Sequence, residues 1–197
     1  SAAVMSSPVA ASEDSNLSVT LAGGQSFSLI LPQQDERKSD INNDFSEMAV
    51  TATLKWEAFT YLSVFAKVLH LTGEGNPDKK WNRDQQEWVD VENPVSLSGT
   101  WGGAGVMVNS NRDRMFSAGL GLGYGYLDQP DDILNSGHAQ FNITADITAN
   151  LTDRWSVTAG WEHLSNGRQV FKRGGKDSEF YPNNGRDYWT VGATYRF

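Results

Sequence analysis

Phe116-Ser-Ala-Gly-Leu-Gly-Leu-Gly-Tyr-Gly-Tyr126 and Ala139-Gln-Phe-Asn-Ile-Thr-Ala-Asp-Ile-Thr-Ala-Asn150 decide the fold. Both keep a period of two. In the first, Phe116, Ala118, Leu120, Leu122, Tyr124 and Tyr126 alternate with Ser117, Gly119, Gly121, Gly123 and Gly125. In the second, Ala139, Phe141, Ile143, Ala145, Ile147 and Ala149 alternate with Gln140, Asn142, Thr144, Asp146, Thr148 and Asn150. Residues two apart on an extended chain share a face, so each stretch is a strand with one apolar face and one small or polar face. Small residues on the inner parity suit a narrow barrel. The polar set of the second strand suits a polar lumen or a solvated exterior, and parity alone does not choose between them.

The pattern extends in both directions. After a turn at Leu151 to Asp153, a strand runs from about Trp155 to His163, and a last one from about Arg186 to Phe197. Towards the start, a first strand begins at Leu17, with Leu17, Val19, Leu21, Phe27, Leu29 and Leu31 on one parity. Irregular Pro32 to Asp44 reads as a loop. A second strand carries Met48, Val50, Ala52, Leu54 and Trp56 against Thr51, Thr53, Lys55 and Glu57. A tight turn near Phe59 leads into a third, Tyr61 to Leu71, in which Phe65 and Leu69 break the alternation. Thr72 to Asn93 reads as a long polar loop. The strand near Val95 to Val108 holds Gly102, Gly103 and Gly105, which mark a bulge or a close backbone approach. Asn109 to Arg114 is a short turn and Leu127 to Ser136 a loop.

Eight strands result, and their connections alternate long and short. Short turns on one side and long loops on the other are the asymmetry of an outer-membrane barrel, with both chain ends on the short-turn side. A soluble lipocalin-like barrel or β-sandwich also alternates, but it puts the apolar parity inside and does not require loop lengths to alternate. Phe197, with Tyr195 and Val191 on its parity, resembles the C-terminal assembly signal of outer-membrane barrels. The expectation is an all-β chain: an eight-stranded antiparallel transmembrane β-barrel over 17–197, in the bacterial outer membrane. Residues 1–16 form a flexible lead from which the secretory signal is already removed.

Composition narrows the functions. A net charge of -8 disfavours nucleic acid, because phosphate binding needs a basic face. The absence of cysteine excludes thiol catalysis, disulfides and cysteine-based zinc sites. No apolar run approaches the ~20 residues of a spanning helix. Low mean hydropathy nonetheless suits a barrel that is apolar only on alternate residues.

Chemistry concentrates near the end of the chain. Trp155, Val157, Ala159 and Trp161 share a parity that His163 and Ser165 continue, while Ser156, Thr158, Gly160 and Glu162 face the lumen. On the last strand, Trp189, Val191, Ala193, Tyr195 and Phe197 share a parity that Asp187 extends. All three reactive residues therefore project from the lipid side, at the external ends of neighbouring strands. Residues i and i+2 of a strand lie roughly 6.6 Å apart at Cα, which lets a His ring nitrogen reach a Ser hydroxyl. An acid on the next strand can hold the other ring nitrogen. Ser165 is then the nucleophile, His163 the general base and acid, and Asp187 the orienter. Asn166, or the backbone N–H groups of Asn166 and Gly167, would stabilise the oxyanion. Read without that geometry, the same residues are a rim His, a turn Ser and a loop Asp. No spacing supports a metal site, and no cofactor is expected. Glu162, Asn142 and Asp146 fit a polar lumen network, and His70 and His138 have no evident partners.

His163-Leu164-Ser165-Asn166-Gly167, followed by Pro182-Asn-Asn-Gly-Arg-Asp187 and an aromatic-ended strand, resembles the outer-membrane lipid A 3-O-deacylases of the PagL type. The resemblance is best from about Met115 to Phe197. It implies an eight-stranded barrel whose external Ser-His-Glu triad releases the ester-linked acyl chain at the 3 position of lipid A, with lipopolysaccharide as partner. Two features depart from the family: Asp187 stands where it has Glu, and the loop from Asn166 to Arg186 is longer. Mid-loop Glu179 is the weaker alternative for the acid. His163 to Arg168 also resembles the motif of outer-membrane phospholipase A, a twelve-stranded, calcium-dependent enzyme whose motif lies mid-chain with many strands after it. Here one strand follows. Arg168, Lys172, Arg173, Lys176 and Arg186 form a basic cluster that suits lipid A phosphates or is a solvated loop. The rival from another class is a non-enzymatic structural or adhesive barrel.

Overall fold

The computed structural model describes residues 16–27, 43–77, 79–82, 87–90, 95–96, 98–110, 115–128, 138–166 and 186–197. Its strands are β1 (Leu17–Phe27), β2 (Asn43–Phe59), β3 (Leu62–Pro77), β4 (Lys79–Asn82), β5 (Glu87–Asp90), β6 (Val95–Ser96), β7 (Gly99–Asn109), β8 (Phe116–Asp128), β9 (Ala139–Asn150), β10 (Trp155–Asn166) and β11 (Arg186–Arg196). β4 and β5 pair only with each other, and two-residue β6 adds to the outer end of β3. The remaining eight close a ring in the order β2-β1-β11-β10-β9-β8-β7-β3, and β3 returns to β2. Every pairing is antiparallel. The proposed lead lies outside the described residues except for Asn16, whose carbonyl accepts the Glu57 N–H at 2.8 Å.

The apolar parity faces outward. Leu21, Val50, Leu54, Val68, Val106, Leu120, Ile147 and Val191 are all exposed. Exposed Trp56, Phe59, Tyr61, Phe116 and Trp155 ring the short-turn end, and exposed Tyr124, Tyr126 and Trp189 mark the other. A continuous apolar band of this extent would be unstable in water. In a bilayer it is the lipid-facing surface of a barrel, with aromatic girdles at both interfaces. Strands of 11 to 17 residues reach or exceed the roughly 9–11 needed to cross. This is an outer-membrane β-barrel, and the soluble alternative, with its apolar face inside, does not hold.

The lumen explains two irregularities of the sequence. Phe65 and Leu69 do not break the alternation of β3. Ser63, Phe65, Lys67, Leu69 and Leu71 are all buried and form its regular inner face. Both faces of β3 carry apolar residues because the external end of the lumen is filled by a plug of Ala49, Leu69, Leu71, Trp101, Leu127, Leu164 and Tyr188. The glycines of β7 mark no bulge, since both of its ladders run without a shift; Gly103 and Gly105 serve close approach, whereas Gly102 faces open space. A Cβ at Gly103 would lie 2.6 Å from the Trp101 ring, and one at Gly105 2.6 Å from Phe65 Cζ.

Below the plug sits a buried polar network. Lys67 Nζ donates to Glu162 Oε1 at 2.7 Å and to Asn142 Oδ1 at 3.2 Å, and Asn142 Nδ2 donates to Glu162 Oε2 at 2.9 Å. Asp146 lies lower, on a cavity of about 70 Å3 that is also lined by Thr20, Thr51, Thr144, Thr158 and Thr190. Hydroxyls of Thr148, Thr158, Thr194 and Thr20 link in sequence at 3.0, 2.9 and 2.7 Å, and the last link crosses the β1–β11 seam. Removing Lys67 strands Glu162 as an uncompensated buried charge. Lys67→Met is expected to destabilise the barrel by about 3 kcal/mol or more, read as an earlier unfolding midpoint in denaturant titrations of the lipid-inserted protein. An unchanged midpoint would mean that water in the lumen compensates Glu162.

Strand boundaries differ from the sequence reading. β2 begins at Asn43, β3 ends at Pro77 and β8 ends at Asp128, inside segments read as loops, and Asn43 pairs with Pro77. The short β4–β5 pair also lies within Thr72 to Asn93. Asn43 to Ser46 and Thr72 to Pro77 hold almost no apolar side chains, so they offer no alternation to detect.

Candidate functional site

β10 and β11 build the site through their register. Trp161 lies opposite Trp189, and His163 opposite Asp187. Each of the four continues the lipid-facing parity. Among the described residues, Asp187 occupies the last rung of the β1–β11 ladder, opposite Phe27. The His–Asp pair thus sits one step beyond a tryptophan pair, at the external rim.

His163 Nδ1 lies 2.9 Å from Asp187 Oδ1. Trp161 Nε1 donates to the same oxygen, also at 2.9 Å. With a carboxylate as acceptor, the neutral imidazole carries its proton on Nδ1, which leaves the Nε2 lone pair to act as a base. The tilted rings of Trp161 and His163 lie 5.8 Å apart. Asp187 faces outward yet is only 4% exposed, while the His163 side chain retains 14%. The carboxylate is therefore shielded, and the imidazole remains accessible from the membrane side.

Ser165 follows two residues after His163 on the same parity, opposite Phe141 of β9. Asn166 closes β10 opposite Gln140. Phe141 packs against Tyr124 at a centroid distance of 5.1 Å. Gly167, Arg168, Lys172, Arg173, Lys176 and Glu179 lie outside the described residues.

The structure revises several expectations. Arg186 turns into the lumen, where its Nη1 donates to Glu47 Oε1 at 2.9 Å, so it leaves the phosphate-binding cluster. His70 and His138 have partners after all. His70 Nδ1 lies 2.9 Å from Thr100 Oγ1, and His138 Nδ1 lies 2.8 Å from the Leu127 carbonyl while its ring stacks on Tyr126. Backbone and cross-strand partners of this kind leave no mark in sequence spacing. The sequence reading treated Trp161 as apolar surface only. The register that pairs His163 with Asp187 also brings the indole two residues below it within reach of the same acid. Glu47 leaves no mark in the sequence, because its partners lie on β11, two strands away in the ring.

No protein-family model matches the chain, and no curated protein matches it. Solved structures to which it is similar include a de novo designed transmembrane β-barrel, at 10% identity and TM-score 0.48 over 94% of this chain and 98% of that one. They also include the outer membrane protein Ail of Yersinia pestis in a phospholipid bilayer nanodisc, at 14% identity and TM-score 0.46 over 91% and 99%. Outer-membrane OmpT of Vibrio cholerae is similar at 13% identity and TM-score 0.29 over 92% and 52%. Likenesses this distant bear on neither activity nor substrate.

Proposed function

We propose that this barrel is a lipid A 3-O-deacylase that hydrolyses the ester-linked 3-position acyl chain of lipopolysaccharide in the outer leaflet. The observation that carries the reading is the outward His163–Asp187 pair, 2.9 Å apart at the external rim with Ser165 two residues further along the same strand. Ester groups of outer-leaflet lipid lie at that depth, just beyond the Trp161 and Trp189 level. In this scheme Ser165 Oγ attacks the ester carbonyl as His163 Nε2 takes its proton. The protonated ring then gives the proton to the departing 3-hydroxyl of the sugar. Water hydrolyses the acyl-serine by the same steps and releases a free fatty acid. Asn166 and Gly167 supply oxyanion donors, and Arg168, Lys172 and Arg173 contact lipid A phosphates.

The test is mass spectrometry of purified lipopolysaccharide incubated with the barrel. Loss of one ester-linked 3-hydroxyacyl chain is the expected result. Release of fatty acid from glycerophospholipid alone, and only with calcium, would favour the phospholipase reading. No release from either substrate, with Ser165 inert to a serine-reactive reagent, would favour a non-enzymatic barrel.

A further inference from the structure

Asp187 faces the membrane, but the residues on either side of it turn inward, and both end on one carboxylate. Arg186 Nη1 donates to Glu47 Oε1 at 2.9 Å, and the Tyr188 hydroxyl donates to Glu47 Oε2 at 2.6 Å. Glu47 is 4% exposed and belongs to β2, which is separated from β11 by β1. Tyr188 is fully buried in the plug beside Leu164, the residue between His163 and Ser165.

The placement of Asp187 makes this clamp consequential. Among the described residues it lies on the last rung of the β1–β11 ladder and one rung inside Leu164–Arg186, the last of β10–β11. A catalytic dyad needs its groups held to about 0.5 Å. We propose that Glu47 is a positioning residue for the His163–Asp187 dyad, gripping β11 from inside the lumen on both sides of the acid. The proposal rests on the esterase reading above.

The chemistry requires a carboxylate. Two donors approach two oxygens, and the guanidinium compensates the buried charge. Glutamine offers one acceptor oxygen and an NH2 group that only the Tyr188 hydroxyl can accept from, so Glu47→Gln removes the charge that holds Arg186 and at least one of the two contacts as built. Misplacement of the dyad on the order of 1 Å is expected to lower kcat by about 10–100-fold, with KM within about twofold because Glu47 lies on the lumen side, away from the lipid.

A double-mutant cycle on lipopolysaccharide tests this. If Glu47 acts through Asp187, Glu47→Gln costs about 10–100-fold in the wild-type background and less than about threefold once Asp187→Asn is present. An equal fold cost in both backgrounds would overturn the proposal. Tyr188→Phe, which removes one hydroxyl and no charge, should move kcat in the same direction by a smaller factor. It serves as the second variant if Glu47→Gln fails to fold. A parallel readout needs no activity: in barrels labelled with nitrogen-15 histidine, the His163 Nδ1–H proton should be visible in the wild type and lost to solvent exchange in Glu47→Gln and Tyr188→Phe. Its persistence in both would also overturn the proposal. If the wild type releases no acyl chain while that proton is lost in the variants, the clamp stands and the esterase reading falls.

Discussion

Replacing Ser165 by alanine is expected to lower acyl release from lipopolysaccharide by about 10^6-fold, to the residual rate left by binding and oxyanion contacts. The size follows from the scheme. Without the hydroxyl no acyl-enzyme forms, and the His163–Asp187 pair has no nucleophile to activate. The fold should be untouched, because Ser165 enters the β9–β10 ladder through its backbone, which alanine keeps, and the lumen network around Lys67 and Glu162 does not involve it. Heat-modifiable migration on a gel checks the fold, and mass spectrometry of lipid A checks the activity. A Ser165→Ala barrel that still deacylates at the wild-type rate would remove the serine from the mechanism.

Replacing Asp187 by asparagine is expected to cost about 10^4-fold in kcat. Asp187 Oδ1 receives both the His163 ring nitrogen and the Trp161 indole. An amide can turn its NH2 group towards Nδ1, which stabilises the tautomer with its proton on Nε2. That ring cannot take the proton of Ser165. Residues directly opposite on antiparallel strands lie only about 4.5–5.5 Å apart at Cα, which is close enough for the short side chain of Asp187 to reach His163. Single-turnover kinetics on lipopolysaccharide measure the loss. A rate within about tenfold of wild type, against that 10^4, would move the acid's role to another residue, with Glu179 the next to test.

Much of this molecule was legible residue by residue. Strand period is a local property, so Leu120, Leu122 and Tyr124 against Gly121 and Gly123 declare a strand without reference to any other part of the chain. Leu69 and Phe65 defeat a period-two reading that assumes one polar face, because Leu69 belongs to the plug and Phe65 fills the space left by Gly105, Gly121 and Gly123 lower in the lumen. The extensions of β2 and β3 escaped because Asn43 to Ser46 and Thr72 to Pro77 hold almost no apolar side chains and so carry no period.

The sequence by itself determined the strand count, the alternation of long and short connections, and the outward parity of His163, Ser165 and Asp187. Each follows from spacing along a few residues. Tertiary structure alone decided that His163 meets Asp187, 24 residues later, that Trp161 shares the same carboxylate oxygen, and that Glu47 holds Arg186 from 139 residues away. The reason is physical: parity follows from the geometry of one strand, whereas register and contacts across a lumen are set by closure of the whole ring. A shift of one residue between β10 and β11 would preserve every strand and still separate the histidine from its acid.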